Sequence, residues 1–84
     1  MLRVLYFASV REAVGTGEEL FDAPPEAATV SALVDWLATI SDAHRAAFAD
    51  RGRLRAAIDG RFVSLDAELG EAKEVALFPP VTGG

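Results

Sequence analysis

The sequence predicts a small α+β domain, in which a mixed sheet carries one main helix on one face and ends in a flexible C-terminal tail. Three observations support this prediction: short strand-forming runs at both ends of the chain, one amphipathic helical segment between them, and a Pro-Pro and Gly-Gly ending. A chain of 84 residues has room for one small core and no second domain. We therefore expect a folded domain over residues 1–78 and an extended tail over residues 79–84.

The first predicted strand lies in the apolar run at residues 4–9. Its two alternating sets are both largely apolar, and this pattern is typical of a strand buried on both faces near the centre of a sheet. Gly15 and Gly17 interrupt the polar stretch that follows, and residues 18–22 are short enough for a returning strand. The sequence thus predicts an N-terminal hairpin.

Two helices are predicted after this hairpin. Thr29 is a plausible N-cap for a helix with one apolar face, formed by Val30, Leu33, Trp36, Leu37 and Ile40. Trp36 is assigned to core packing, since an aromatic residue at helical spacing among leucines is usually buried. A short second helix is predicted over residues 41–50, with Ser41 or Asp42 as its N-cap and Phe48 turned inward.

The remaining strands follow from turn chemistry. Residues 54–58 and 61–65 form the predicted arms of a hairpin around Asp59-Gly60, a pair that favours a type I′ turn. Residues 74–78 form the last strand, which ends because Pro79 has no backbone N–H to donate to the sheet.

Composition excludes several classes of function. The chain has no cysteine, so thiolate metal sites and cysteine nucleophiles are impossible, and its only histidine, His44, is interpreted as a surface residue. A net charge of −5 argues against nucleic-acid binding. The apolar N-terminus has no basic region or cleavage site, and no long apolar run follows, so we predict a cytoplasmic protein without membrane contact.

Four arginines, Arg51, Arg53, Arg55 and Arg61, form a local basic stretch on this acidic chain. Most charged side chains are simply solvated, so a solvent-exposed strand face is the favoured interpretation. A patch that faces a partner protein remains the alternative.

The C-terminal tail carries the main functional signal. Glycine has no Cβ, so Gly83-Gly84 is the thinnest and most permissive ending that can enter a narrow pocket of another protein. Pro79 and Pro80 restrict the backbone upstream and favour a stiff, extended exit from the domain. The terminal carboxylate is therefore a candidate reactive group, although glycine-rich termini also occur without a function.

Several segments together resemble the small subunit of molybdopterin synthase. The resemblance spans nearly the whole chain, with the tail as its most specific part. One departure from the family precedes the last strand: residues 72–75 are Ala-Lys-Glu-Val, where the family typically has Gly-Asp-Glu-Val. The turn that needs a positive φ is therefore expected at Gly70 instead. The matching segments are Val4-Leu5-Tyr6-Phe7-Ala8, Arg11-Glu12, Thr29-Val30, Leu33, Leu37, Ala57-Ile58-Asp59-Gly60, Glu74-Val75-Ala76-Leu77 and Phe78-Pro79-Pro80-Val81-Thr82-Gly83-Gly84.

The resemblance implies a β-grasp, ubiquitin-like fold and a sulfur carrier in molybdenum cofactor biosynthesis. It implies that an adenylating enzyme, similar to ubiquitin-activating enzymes, uses ATP to activate Gly84, that Gly84 becomes a thiocarboxylate, and that the chain itself binds no cofactor or metal. The sulfur then passes to cyclic pyranopterin monophosphate in the large subunit, within a heterotetramer. By this resemblance Pro79, Pro80, Val81, Thr82 and Gly83 set the insertion path.

Phe78 and Phe7 are candidate contacts with the large subunit, although core packing is the favoured interpretation for Phe7. Three other functions remain open. They are a sulfur carrier of thiamine synthesis, a ubiquitin-like modifier joined to lysines through Gly84, and a binding module whose tail has no role.

Overall fold

The computed structural model describes residues 1–80, so the predictions that concern Val81, Thr82, Gly83 and Gly84 lie outside the described residues. Five strands and three α-helices occur in this part of the chain, together with one 3₁₀ turn at Arg51–Arg53. In chain order the elements are β1 (Leu2–Tyr6), α1 (Ala8–Val14), β2 (Glu18–Phe21), α2 (Val30–Leu37), α3 (Asp42–Ala47), β3 (Arg55–Ile58), β4 (Arg61–Val63) and β5 (Glu74–Phe78).

The strands form one mixed sheet in the order β2-β1-β5-β3-β4. β1 pairs antiparallel with β2 and parallel with β5, and β3 pairs antiparallel with both β4 and β5. The side chains on one face of the sheet, Val4, Tyr6, Ala56, Val75 and Leu77, are buried with apolar residues of the helices. The core therefore lies on this helix-covered face, and the predicted α+β architecture is confirmed.

The first strand is shorter than the sequence predicted, and α1 was not predicted at all. The predicted pairing of β1 with β2 is confirmed, but the chain turns after Phe7 and forms a helix that ends at Gly15, whose φ is 98°. The strand prediction was correct for residues 4–6 and failed after Tyr6, because a short apolar run fits a helix segment equally well. Burial on both faces was also wrong, since Leu5 is only half-buried and Phe7 is exposed.

Both predicted helix caps are confirmed. The Thr29 hydroxyl accepts a hydrogen bond from Ala32 N, and the Ser41 hydroxyl accepts one from His44 N, each at 3.1 Å. Trp36 packs edge-on against Phe21, with 5.2 Å between ring centroids, as its assignment to packing predicted. Ile40 is an exception, because α2 ends at Leu37 and leaves Ile40 in the exposed connection to α3.

The Asp59-Gly60 turn also has the predicted geometry. Both residues have positive φ, 47° and 85°, as a type I′ turn requires. The Asp59 carboxylate accepts hydrogen bonds from the backbone N–H groups of Lys73 and Glu74, so it ties the hairpin to the start of β5. Gly70 adopts a φ of 53°, and the expected positive φ is thus found at this position.

His44 is buried, so its interpretation as a surface residue was wrong. Its Nδ1 lies 2.7 Å from the Ser41 hydroxyl, and its Nε2 lies 2.7 Å from Glu19 Oε1, which also accepts a hydrogen bond from the Tyr6 hydroxyl at 2.9 Å. A carboxylate only accepts hydrogen bonds, so Nε2 donates to Glu19. This network joins β1, β2 and α3, and it makes burial of the imidazole acceptable because both ring nitrogens have partners.

Tyr6 provides a test of this network, because it is the only tyrosine in the chain. Burial, followed by the hydrogen bond and the negative charge of Glu19, raises the pKa of the phenol far above its usual value. The unfolded chain loses this proton near pH 10 while the folded protein keeps it. We therefore expect the free energy of unfolding to be unaffected by this group below about pH 10 and to fall above it, by up to about 1.4 kcal/mol per pH unit.

Urea unfolding of the unaltered protein and of Tyr6→Phe at several alkaline pH values measures this effect. At neutral pH the free energy of unfolding of Tyr6→Phe should be about 1 kcal/mol lower, because the variant lacks the hydrogen bond to Glu19. Above about pH 10 the variant should also lack the loss of stability that Tyr6 causes. Tyrosinate absorbance that appears near the ordinary phenol pKa in the still folded protein would contradict this interpretation.

Candidate partner-binding face and tail exit

The face of the sheet that the helices leave uncovered is largely apolar near its centre. The strand registers place Leu5 opposite Ala76, Ala76 opposite Ala57, and Ala57 opposite Phe62, so these four side chains form one row across four strands. Paired residues of adjacent strands project to the same face of a sheet. The row therefore forms an apolar strip beside the residues of β5 that precede the tail.

Aromatic side chains enlarge this strip. Phe62 is 85% exposed and Phe7 is 47% exposed. Exposed apolar side chains that adjoin one another in this way often mark an interaction site. The rings of Phe62 and Phe78 contact each other, with 5.7 Å between their centroids. The favoured interpretation of Phe7 as a core residue was wrong, because the chain turns at the end of β1 and leaves its side chain outside the core.

The tail leaves the domain at the edge of this same surface. Phe78 ends β5, and Pro79 and Pro80 line a shallow concave surface of about 670 Å³ together with the strip. The backbone N–H of Phe7 donates to Leu77 O at 3.1 Å, which fixes the end of β5 beside the start of α1. This hydrogen bond therefore fixes the position of Phe7 relative to Phe78 and the start of the tail.

The chemistry of the surface is that of a binding face. The lining that residues 1–80 provide is apolar except for Glu74 at one end, and in this part of the chain it includes no hydroxyl, thiol or imidazole side chain. Within residues 1–80, no group of three or more His, Asp or Glu side chains is arranged to hold a metal ion. We call this surface the open face and define it by Leu5, Phe7, Ala57, Phe62, Ala76 and Phe78.

Sequence reasoning identified Phe78, Pro79 and Pro80, and the structure brings all three to the open face. It missed Phe62 as a site residue, although a signal was present. A two-residue type I′ turn fixes the register of a hairpin, so Asp59-Gly60 determines that Phe62 lies opposite Ala57. The structure also divides the four arginines: Arg51 is half-buried and pairs with Asp35 at 2.8 Å, whereas the other three are exposed.

The sheet order, the helix across one face and the tail that follows the last strand define a β-grasp, ubiquitin-like domain, as expected from the sequence. The model of the ThiS family matches residues 4–84, so the chain belongs to this family. No helix within residues 1–80 is both long and apolar enough to cross a membrane.

Two curated relatives match this chain over the full length of both proteins. Each is a molybdopterin synthase sulfur carrier subunit, one from Escherichia coli strain K12 with 45% identity and one from Haemophilus influenzae with 36% identity, over 84 residues. The resemblance to this family that the sequence indicated is therefore confirmed.

Solved structures with the same fold cover nearly all of the chain. SAMP1 from Haloferax volcanii aligns with a TM-score of 0.71 and 27% identity, covering 99% of this chain and 98% of the other. A second structure from that organism, small archaeal modifier protein 1, has a TM-score of 0.68 and 25% identity, with coverages of 95% and 97%. The putative molybdopterin converting factor subunit 1 from Pyrococcus furiosus has a TM-score of 0.68 and 32% identity, also with coverages of 95% and 97%.

Proposed function

We propose that this protein is the sulfur carrier of molybdopterin biosynthesis and acts as the small subunit of molybdopterin synthase. The observation that carries this proposal is the position of Phe78, Pro79 and Pro80 at the open face, because the sequence that follows them is Val81-Thr82-Gly83-Gly84. The full-length identity to two sulfur carrier subunits supports it. In this proposal residues 1–78 are the folded domain and residues 79–84 are the tail that enters partner proteins.

The proposed chemistry takes place at Gly84. Its carboxylate attacks the α-phosphorus of ATP in an adenylating partner, pyrophosphate leaves, and an acyl adenylate forms. A hydrosulfide ion from a sulfur donor then attacks the acyl carbon, AMP leaves and the S–H proton is lost to water, which gives a thiocarboxylate. This sulfur is anionic at neutral pH and nucleophilic without a neighbouring base, so the carrier needs no cysteine of its own.

The large subunit is the proposed second partner, with the open face as the docking surface. In this proposal the large subunit supplies the remaining catalytic groups, while Pro79 to Gly83 set the insertion path of the tail. Glycine at position 83 keeps the inserted chain narrow. We further propose a heterotetramer of two small and two large subunits and a cytoplasmic location.

Intact mass measurement tests the proposal directly. The protein is isolated from its own cells under conditions that protect thioacids, and fragmentation locates any change along the chain. We expect replacement of one oxygen by sulfur at Gly84. A sample that carries only an unmodified carboxylate, together with isopeptide conjugates to other proteins, would contradict a pure carrier role.

A ubiquitin-like modifier is the second candidate, favoured by the structural similarity to small archaeal modifier protein 1. In that function a lysine amine of a target protein attacks the carbonyl of the Gly84 acyl adenylate, AMP leaves, the amine loses a proton and an amide bond forms. The search for isopeptide-linked peptides that end in Gly-Gly distinguishes the two. A thiamine sulfur carrier, the other alternative, is distinguished by which biosynthetic pathway fails when the gene is deleted.

A further inference from the structure

Two of the exposed arginines, Arg53 and Arg55, lie near the point where the tail leaves the domain. Arg53 belongs to the 3₁₀ turn, Arg55 to β3 and Arg61 to β4, the edge strand of the sheet. None of the three forms an ion pair within residues 1–80, whereas Arg3, Arg45 and Arg51 each pair with a carboxylate. Arg61 lies opposite Ile58, at the turn end of the hairpin and away from the tail exit, so we call only Arg53 and Arg55 the basic edge.

Arg55 connects the basic edge to the open face. It lies opposite Phe78 in the pairing of β3 with β5, and it lines a small depression with Phe62, Val63 and Phe78. Its Nη1 donates to Gly52 O at 3.2 Å and to Leu54 O at 2.9 Å, which restricts the guanidinium to one orientation. Within residues 1–80 its Nε and Nη2 form no hydrogen bond, so they are free to bind a carboxylate.

Arg53 lies on the other side of the tail exit. It lines a groove between α1 and α3 that includes Pro79, and Asp50 is the only carboxylate that residues 1–80 contribute to this groove. Asp50 accepts a hydrogen bond from Gly52 N at 3.1 Å and has no ion pair with Arg53. Positive charge therefore flanks the point where the tail leaves the domain.

A separate acidic surface lies at the other end of the sheet from the tail exit. Asp22, Glu68 and Glu71 line a surface at the start of β1, and the tail leaves beside the end of β1 because β5 runs parallel to it. Along β1 and β2, Arg3 is already paired with Glu18. A chain with a net charge of −5 thus presents an unpaired basic side beside its apolar docking surface.

We infer that the basic edge binds a strip of carboxylates on the large subunit, next to the hydrophobic contact with the open face, and that Arg55 orients the carrier on its partner. This inference rests on the proposed function. Arginine suits the role because its planar guanidinium binds a carboxylate through two parallel hydrogen bonds. Charged residues at the border of an interface accelerate association and fix the relative orientation of the partners.

Binding of the purified large subunit to the carrier at several salt concentrations tests this inference. Arg55→Ala should raise Kd about tenfold at low salt and Arg55→Glu about a hundredfold, with a lower association rate and a weaker dependence of Kd on salt. Arg45→Ala is the matched control, because Arg45 is an exposed arginine of α3 that pairs with Asp42. It should leave Kd unchanged.

The outcomes separate this inference from the proposed function. If Arg55→Glu and a variant with Arg53 and Arg55 both replaced by Ala bind like the unaltered protein, while Phe62→Ala weakens binding, the inference is wrong. The proposed docking through the open face then stands. If the unaltered protein does not bind the large subunit at all, both are wrong. Thermal unfolding of each variant shows whether it folds, and these exposed residues should leave Tm nearly unchanged.

Discussion

Removal of Gly84 should abolish sulfur transfer while leaving the folded domain intact. The shortened chain ends at Gly83, so its carboxylate stops about 3.5 Å short of the position that the partner's active site requires. Displacement of a reacting group by only about 1 Å can cost a hundredfold in rate. The measured quantities are thiocarboxylate formation by the activating enzyme and sulfur transfer in the presence of the large subunit.

Addition of one residue after Gly84 is the complementary variant and should be equally inactive. Every buried apolar residue of the core within residues 1–80 lies between Leu2 and Leu77, so both variants should keep the Tm of the unaltered protein. Sulfur transfer by the deletion variant at the normal rate would contradict the assignment of Gly84 as the reactive residue. A large drop in Tm would show that the end of the chain contributes to folding.

Replacement of Phe62 by Ala should weaken binding to the large subunit by about 30-fold or more, with little change in stability. Phe62 is 85% exposed in the free domain, so its truncation removes almost no contact from the core. Large aromatic residues near the centre of an interface are frequent hot spots, and their truncation costs about 2 kcal/mol or more. Phe78→Ala should weaken binding as well, because the ring of Phe78 contacts that of Phe62.

Ile40→Ala is the matched control for these variants. Ile40 is also an exposed large apolar residue, at 41% exposure, but it lies between α2 and α3, away from the open face. Isothermal titration with the large subunit gives Kd for each variant, and urea unfolding gives its stability. Unchanged affinity in both Phe variants would exclude the open face as the docking surface.

Local signals in the sequence predicted most of the elements correctly. Thr29 and Ser41 cap helices because their hydroxyls accept hydrogen bonds from backbone N–H groups three residues later, which is a local interaction. Asp59-Gly60 forms its turn because few residue pairs tolerate two successive positive φ values. The last strand ends at Phe78, as predicted from the Pro79 that follows.

Signals that depend on distant neighbours were the ones that failed. His44 is isolated in the sequence, and only the packing of α3 against the sheet brings it to Glu19, 25 residues earlier in the chain. Phe7 has the same apolar character as the buried residues of β1, and the turn into α1 decides that it is exposed. Burial is a property of the assembled fold, so the hydrophobicity of a single residue does not determine it.

The sequence by itself determined the class of fold, the end of the last strand before Pro79 and the absence of cysteine, because these depend on local backbone preferences and on composition. Tertiary structure alone decided that Phe7, Phe62 and Phe78 share one uncovered face and that Arg55 lies beside it. The reason is that β1, β3, β4 and β5 are separated in the chain and become neighbours only through the registers of the sheet. A surface built from several strands exists only after those strands have paired.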